Sequence, residues 1–208
     1  RDFQNDAVAK AAYEAALARL ASLGATLVET DVAPFLETAK LLYGGAWVAE
    51  RLAAIKDFAA KQPDALLPIT RQIILGAEKL GAVDAFQGLY RLRAYAKQTA
   101  PVWQQIDALA VPTAPTSYTI AELEAEPIKL NSVLGTYTNF VNLLDLAAVA
   151  VPAALSPQGL PVGLTLIAPA WHDRRLLSLA GRFHEATGLA LGATGHALPK
   201  AAAKPATD

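Results

Sequence analysis

The sequence has neither cysteine nor methionine among its 208 residues. The lack of cysteine excludes disulfide bonds, thiol nucleophiles and thiolate metal sites, and it agrees with the cytoplasmic location that we expect. The first residue is an arginine in a polar stretch, which differs from the pattern of a signal peptide. Because no methionine starts the chain, we expect it to be an internal piece of a longer protein.

Long hydrophobic runs and an excess of charge of one sign are also missing. No stretch reaches the ~18 uninterrupted apolar residues that a membrane-spanning helix requires. The 18 basic and 19 acidic residues give a net charge of −1 and are scattered, so no basic patch indicates nucleic acid or a membrane surface as a partner. Hydrophobic residues make up 53% of the chain, which is typical of a well-filled globular core. A small molecule or a protein is therefore the expected partner.

Groups for metal, cofactor or nucleophilic chemistry are sparse. The histidines His172, His184 and His196 lie twelve residues apart, without the spacing of a zinc site, so no metal is expected. No segment resembles a glycine-rich phosphate loop, and no cofactor is expected. Lys129 could act as a base, but a solvated lysine is the simpler interpretation. The serines have neither a glycine-flanked elbow nor an adjacent base, so no catalytic residue is expected in this chain; they are Ser22, Ser117, Ser132, Ser156 and Ser178.

Hydrophobic periodicity predicts an α/β fold. Three short apolar segments are typical of buried strands, and the first two are each stopped by a proline; they are residues 108–111, 146–151 and 161–167. Residues 25–31 also have strand composition. Helical patterns lie between these segments, at residues 7–23, 34–58, 64–76, 82–105 and 174–187. We expect a mostly parallel or mixed, largely buried sheet flanked by helices on both faces.

Residues 41–51, LLYGGAWVAER, interrupt an alanine- and leucine-rich helical pattern with functional side chains. Tyr43, Trp47 and Arg51 recur every four residues and so form one slowly turning stripe on a helix. Gly44 and Gly45 are unfavourable inside a helix, at about 1 kcal/mol each relative to alanine. The glycine pair therefore predicts a kink, or a place where another group approaches the backbone closely.

Arg51 has two interpretations. It could be an exposed arginine, or a partner of Glu50, near a helix end. Alternatively, its planar fork of donors could bind a carboxylate while Tyr43 donates a hydrogen bond to the same ligand. On a straight helix the two Cα atoms would lie about 12 Å apart, so both heads reach one small ligand only if they lean together or the glycine pair bends the path. Trp47 is expected to pack rather than to bind.

Residues 130–145 are unusually polar for a segment that precedes a buried strand. They include four hydroxyl groups and three asparagines among apolar residues. Polar groups that are partly buried must be hydrogen-bonded. The segment is either a network of caps and loop contacts or the wall of a pocket, and both interpretations can hold together.

These segments resemble the amidase signature family. The general resemblance is carried by residues 112–115, residues 137–152 and residues 159–167 with the helix that follows. A narrower resemblance, to the allophanate hydrolase branch, is carried by residues 41–51 and 130–140. Residues 1–190 would form the C-terminal portion of an amidase-signature domain, and residues 191–208 a linker or tail toward a further domain.

The resemblance implies hydrolysis of allophanate, a carboxylated urea, to ammonia and carbon dioxide. The family's two serines and lysine lie in a segment upstream of this chain, so the implied partners are the N-terminal part of the same amidase domain and a small anionic substrate. A homodimer is left open, as is the pathway, which could be urea degradation or cyanuric acid catabolism. Tyr43 and Arg51 match the family positions that bind the substrate carboxylate, with Thr138 and Asn139 as secondary candidates. The alternatives are another amidase, such as the A-type subunit of a glutamyl-tRNA amidotransferase, or a non-catalytic binding module.

Overall fold

The computed structural model describes residues 2–199, so residues 200–208, half of the predicted tail, lie outside the described residues. Its α-helices are α1 (Ala7–Ser22), α2 (Ala33–Gly44), α3 (Trp47–Lys61), α4 (Pro68–Leu75), α5 (Ala82–Thr99), α6 (Ile120–Ala125), α7 (Pro127–Leu134), α8 (Phe140–Leu143) and α9 (Asp173–Thr187). Its strands are β1 (Leu109–Pro112), β2 (Leu146–Leu155) and β3 (Pro161–Pro169). Short 3₁₀ turns lie at Pro63–Ala65, Gly76–Lys79, Ala100–Gln104 and Gly192–Thr194. Within residues 2–199 no helix combines the length and apolarity needed to cross a membrane.

The three strands form one sheet in the order β1-β3-β2. β3 pairs with both neighbours antiparallel, with Leu109 opposite Ile167 on one side and Val149 opposite Leu166 on the other. The α/β class is confirmed. The predicted mostly parallel or mixed pairing is not found in the described sheet, in which both strand pairs are antiparallel. The reason is the connection between β2 and β3: parallel neighbours need a crossover of a dozen or more residues, whereas residues 156–160 form a tight turn. That turn is closed by a 2.7 Å hydrogen bond from the Ser156 N–H to the Leu160 carbonyl.

Helices cover both faces of the sheet, as predicted. Alternate residues of β3 point to opposite sides, so Leu166 packs with Leu20 of α1 and Phe183 of α9 in one buried cluster. Ile167 packs on the other side in a second cluster with Phe35 of α2, Phe140 of α8 and Leu109 and Val111 of β1. This second cluster places α2 directly beside α8, which brings residues 41–51 close to residues 130–145.

Two strand predictions are wrong in detail. The second strand does not stop at Pro152 but continues to Leu155, with a register shift between Pro152 and Ala154. Proline is tolerated there because β2 is an end strand of the described sheet and the shift is a bulge, where a missing N–H costs little. Residues 25–31 are not a strand. Leu27 and Val28 are half exposed, and no described strand pairs with their backbone, so composition alone could not make a strand.

The helix predictions hold except at their ends, within residues 34–58, which form the two helices α2 and α3, and at residues 120–143, where α6, α7 and α8 have no predicted counterpart. The predicted helix over residues 82–105 ends at Thr99, and the chain tightens into a 3₁₀ turn around Pro101. Asp173 is the first residue of α9 rather than its cap, a position taken by His172. α6 was not predicted, although its capping box was readable: the Glu122 carboxylate accepts from the Thr119 N–H at 2.7 Å.

Asp6 caps the N-terminus of α1 and also joins it to the segment after β1. One carboxylate oxygen accepts from the Ala9 N–H at 2.9 Å, and the other accepts from the Thr116 hydroxyl at 2.8 Å. The Ala9 bond lowers the pKa of Asp6 below its ordinary value; burial opposes this effect and the Thr116 bond reinforces it. A single carboxylate therefore stabilises both a helix end and a long-range contact.

Replacing Asp6 by Ala should lower the free energy of unfolding by about 1–2 kcal/mol at neutral pH, because the cap is lost. A carboxylate whose pKa is depressed in the folded state stabilises it above the unfolded-state pKa of ~4, and this contribution is lost as the pH falls through the folded-state value. The difference in the free energy of unfolding between wild type and Asp6→Ala should therefore be largest above about pH 5 and decrease in acid. Urea unfolding at a series of pH values measures it. The control is Asp6→Asn, which keeps a capping acceptor that does not titrate. If the stability difference between wild type and Asp6→Ala stayed constant into acid, the capping role of the Asp6 carboxylate would be contradicted.

Candidate functional site

The predicted kink at the glycine pair is a complete break between α2 and α3. Gly45 has an extended backbone, with φ −121° and ψ −164°. A Cβ atom built on Gly45 would lie 2.7 Å from the Leu41 carbonyl oxygen, a contact that real Cβ atoms do not make. Since the obstacle is backbone of the preceding turn, only glycine fits at this position without moving α2.

The break brings Tyr43 and Arg51 together. The guanidinium carbon of Arg51 lies 4.8 Å from the centroid of the Tyr43 ring, within the range of a cation–π contact. Tyr43 is half exposed, and Arg51 is partly buried. Among the described residues no carboxylate forms an ion pair with Arg51, so the alternative partner Glu50 is not used. The Arg51 charge faces an aromatic ring and keeps its capacity to bind an anion.

A cleft of about 480 Å³ lies between α2 and residues 132–139. Residues at helical spacing line its two sides, Leu36, Lys40 and Tyr43 on one and Ser132, Thr136 and Asn139 on the other, with Ala33, Glu37, Ala39 and Gly44 completing the lining. Of the predicted substrate-binding residues, Tyr43 and Asn139 line this cleft. Arg51 adjoins it through the Tyr43 ring, whereas Thr138 is not among its lining residues.

The wall formed by residues 132–139 is fixed by a close approach at Gly135. A Cβ atom at this position would overlap the Asn139 side-chain amide, which occupies the space that a side chain at 135 would fill. The Asn139 N–H also donates to the Gly135 carbonyl at 2.9 Å. Thr138 contributes through its backbone, since its carbonyl accepts from the Val141 N–H at 3.1 Å.

Both interpretations of residues 130–145 hold. The Ser132 hydroxyl donates to the Ile128 carbonyl at 2.8 Å, and the Thr136 hydroxyl donates to the Val133 carbonyl at 2.7 Å, while both residues line the cleft. The buried Tyr137 hydroxyl donates to the Asp2 carbonyl at 2.8 Å and accepts from the Asp2 N–H at 2.7 Å. The polar groups thus form local caps and a long-range tie as well as a wall.

The charged side chains that line the cleft, and the candidate base Lys129, are exposed and form ion pairs. Lys40 is paired with Glu37, and both side chains are exposed, so this pair contributes little stability. Lys129 is exposed and its ammonium lies 2.9 Å from the Glu126 carboxylate, which agrees with the interpretation of a solvated lysine. No group of three or more His, Asp or Glu side chains that could hold a metal comes together in the described part of the chain.

Some lining residues were missed by the sequence analysis. Leu36 and Lys40 precede Tyr43 by seven and three residues, so extending the aromatic stripe backward along α2 would have found them. Gly135 carried no sequence signal, because its role depends on the position of a side chain four residues later.

A family model described as Amidase matches residues 2–177. This match covers most of the sequence, and the chain belongs to the amidase family. The resemblance to the amidase signature family is thereby confirmed.

The relatives and solved structures are longer than this chain. The urea amidolyase of Lachancea kluyveri is 45% identical over 173 residues, which cover 82% of this chain and 10% of the relative. The structure of Kluyveromyces lactis allophanate hydrolase matches with a TM-score of 0.87 at 41% identity, over 90% of this chain and 31% of that one. The A-type subunit of the glutamyl-tRNA(Gln) amidotransferase from a Synechococcus strain is 30% identical over 85% of this chain and 41% of its own length. The chain therefore spans a tenth to two fifths of these proteins.

Replacing Gly135 by Ala should displace the Asn139 side chain. The backbone at Gly135 has φ −85° and ψ 3°, which alanine adopts readily, so the Asn139 amide is the obstacle to the new Cβ. We expect the Asn139 side-chain amide resonances to shift, with a change in the free energy of unfolding below about 1.5 kcal/mol, since a rotated side chain relieves the overlap. Gly181→Ala, at a helical glycine with open space around it, is the control and should leave those resonances unchanged. An unperturbed Asn139 in Gly135→Ala would refute the prediction.

Proposed function

We propose that this chain is part of an amide hydrolase that converts allophanate to ammonia and carbon dioxide, and that it recognises the substrate carboxylate. The observation that carries the proposal is Arg51, whose guanidinium lies on the Tyr43 ring beside the cleft and pairs with no described carboxylate. The identities of 45% to a urea amidolyase and 41% to an allophanate hydrolase support the choice of substrate.

The chemistry of the pair suits a small planar anion. A guanidinium presents donors in a fixed fork that matches the two oxygens of a carboxylate. Contact with the ring orients this fork and removes part of its water shell, which strengthens its attraction for an anion. The Tyr43 hydroxyl is a further donor that the described hydrogen bonds leave available. Asn139, on the opposite wall of the cleft, can accept from or donate to the urea part of the substrate.

The bond-breaking groups belong, in this proposal, to the N-terminal part of the same amidase domain. The serine of the cleft, Ser132, is engaged with a backbone carbonyl, and Lys129 is exposed and paired with Glu126. A nucleophilic serine activated by a second serine and a lysine would therefore come from upstream, and we expect residues 1–208 alone to be inactive. Residues 1–190 would be the C-terminal portion of that domain. We expect the complete enzyme to act in the cytoplasm, in urea or cyanuric acid degradation.

Replacing Arg51 by Ala in the complete enzyme should lower kcat/KM for allophanate by about 30- to 900-fold, the equivalent of about 2–4 kcal/mol for a lost charged hydrogen bond. The effect should appear mainly in KM, because the carboxylate is bound before and during the reaction. In biuret a carboxamide replaces the carboxylate. The variant should therefore lose much less kcat/KM for biuret, or much less affinity if biuret is measured as an inhibitor. Steady-state kinetics with both compounds check this.

Two variants sharpen the test. Tyr43→Phe keeps the ring under Arg51 but removes the hydroxyl, and should cost about fivefold to tenfold in kcat/KM for allophanate. Arg174→Ala removes an exposed arginine from α9, on the opposite side of the sheet. It should leave the kinetic constants for both compounds unchanged. Equal losses for allophanate and biuret in Arg51→Ala would reject carboxylate recognition. Activity on glutamine but not on allophanate would favour the amidotransferase, to whose A-type subunit the chain is 30% identical.

A further inference from the structure

The break between α2 and α3 is contacted from outside by Gly88 of α5. A Cβ atom built on Gly88 would lie 3.0 Å from the Ala46 Cβ and 3.5 Å from Cζ3 of the Trp47 ring. Gly88 is buried in the middle of α5, where glycine costs about 1 kcal/mol relative to alanine. The missing side chain allows α5 to approach the break more closely than any other residue would permit.

The break is thus confined on two sides. On the inside, Gly45 has no room for a side chain because of the Leu41 carbonyl oxygen at 2.7 Å. On the outside, the Ala46 methyl group lies where a side chain at Gly88 would begin, 3.0 Å from the position that its Cβ would take. Ala46 is also the residue from which α3 starts, since its carbonyl accepts from the Ala49 N–H at 3.0 Å. The close approach of Ala46 and Gly88 therefore constrains the direction in which α3 leaves the break, together with the packing of Val48 and Leu52 of α3 in a buried cluster with Ile74 and Ala77.

Small changes at this contact are amplified at Arg51. Its Cα lies five residues beyond Ala46, about 7.5 Å along the helix axis. A rotation of α3 by about 10° at Ala46 would move that Cα by about 1 Å and the guanidinium further. Bidentate recognition of a carboxylate tolerates about 0.5 Å of misplacement, so a shift of this size would weaken binding.

We propose that Gly88 is a positioning residue for substrate binding: by letting α5 rest directly on Ala46, it fixes the direction of α3 and holds the Arg51 guanidinium over the Tyr43 ring. This inference rests on the proposed carboxylate-binding role of that pair. It assigns a function to a residue that lies 37 positions after Arg51 in the sequence and is not among the residues lining the cleft.

The test exchanges the methyl group between the two contacting residues in the complete enzyme. Gly88→Ala should raise KM for allophanate about threefold to tenfold, with kcat and the constants for biuret within about twofold of wild type. The double variant Gly88→Ala/Ala46→Gly removes the nearest obstacle to the new methyl group and should restore KM. Gly181→Ala is the matched control. A Cβ atom added to this glycine of α9 would have no atom from outside its own helix within 4 Å.

A second measurement follows the geometry without activity. In enzyme labelled with ¹⁵N-arginine, the Arg51 side-chain resonance should show a ring-current shift from Tyr43, which Tyr43→Ala identifies by abolishing it. Gly88→Ala should reduce this shift, and the double variant should restore it. If Gly88→Ala does not fold, the double variant decides, because it should recover the fold, the shift and the KM together.

The outcomes separate this inference from the proposed function. An Arg51 shift that is unchanged in Gly88→Ala, or a double variant that stays impaired, would overturn the positioning role. A reduced shift with unchanged KM would also overturn it, provided that Arg51→Ala does raise KM. If Arg51→Ala leaves KM unchanged, the carboxylate-binding function fails, whereas the ring-current result still reports whether Gly88 fixes the position of Arg51.

Discussion

The site depends on one steric constraint, the lack of room for a side chain at residue 45. Because a Cβ there would meet the Leu41 carbonyl oxygen at 2.7 Å, glycine alone lets the chain leave α2 in an extended conformation and start α3 two residues later. An uninterrupted helix would separate Tyr43 and Arg51 by two turns. The break instead places the guanidinium 4.8 Å from the ring, so a local backbone property creates the contact on which the proposed anion recognition rests.

Several glycines allow close packing in this protein, because each leaves space that a side chain from another residue fills. Gly88 admits the Ala46 methyl group, Gly135 admits the Asn139 amide, and Gly163 of β3 admits the Thr113 side chain, whose hydroxyl is hydrogen-bonded to that of Thr165 at 2.8 Å. Such contacts are sensitive to a single added methyl group because protein interiors are close-packed. Placing a site on this kind of contact makes its geometry rigid without a network of ion pairs.

Membership of the amidase family gives the arrangement a functional setting. In the proposed division of labour, the described residues provide the cleft wall and a cation, whereas the reactive serine belongs to the remainder of the domain. This division is physically sensible. A binding residue needs only a fixed position and an available charge, while a nucleophile also needs a base within hydrogen-bond reach. None of the described hydrogen bonds joins a serine hydroxyl to a side chain that could act as a base, and Ser132 donates to a backbone carbonyl, whereas Arg51 is held on the Tyr43 ring with its charge available.

The sequence determined features that depend on near neighbours along the chain. Periodicity located most of the helices and all three described strands, and the glycine pair predicted a kink where the helix breaks. These features follow from local steric and hydrophobic effects. The sequence also singled out Tyr43 and Arg51 and, through the family resemblance, Thr138 and Asn139, of which Thr138 does not line the cleft. Only the tertiary structure decided the antiparallel pairing, the continuation of β2 through its proline, the fact that residues 25–31 join no strand of the described sheet, and the cleft itself. Each of these depends on which distant segment supplies a hydrogen-bond partner or fills a space, and no local pattern encodes that choice.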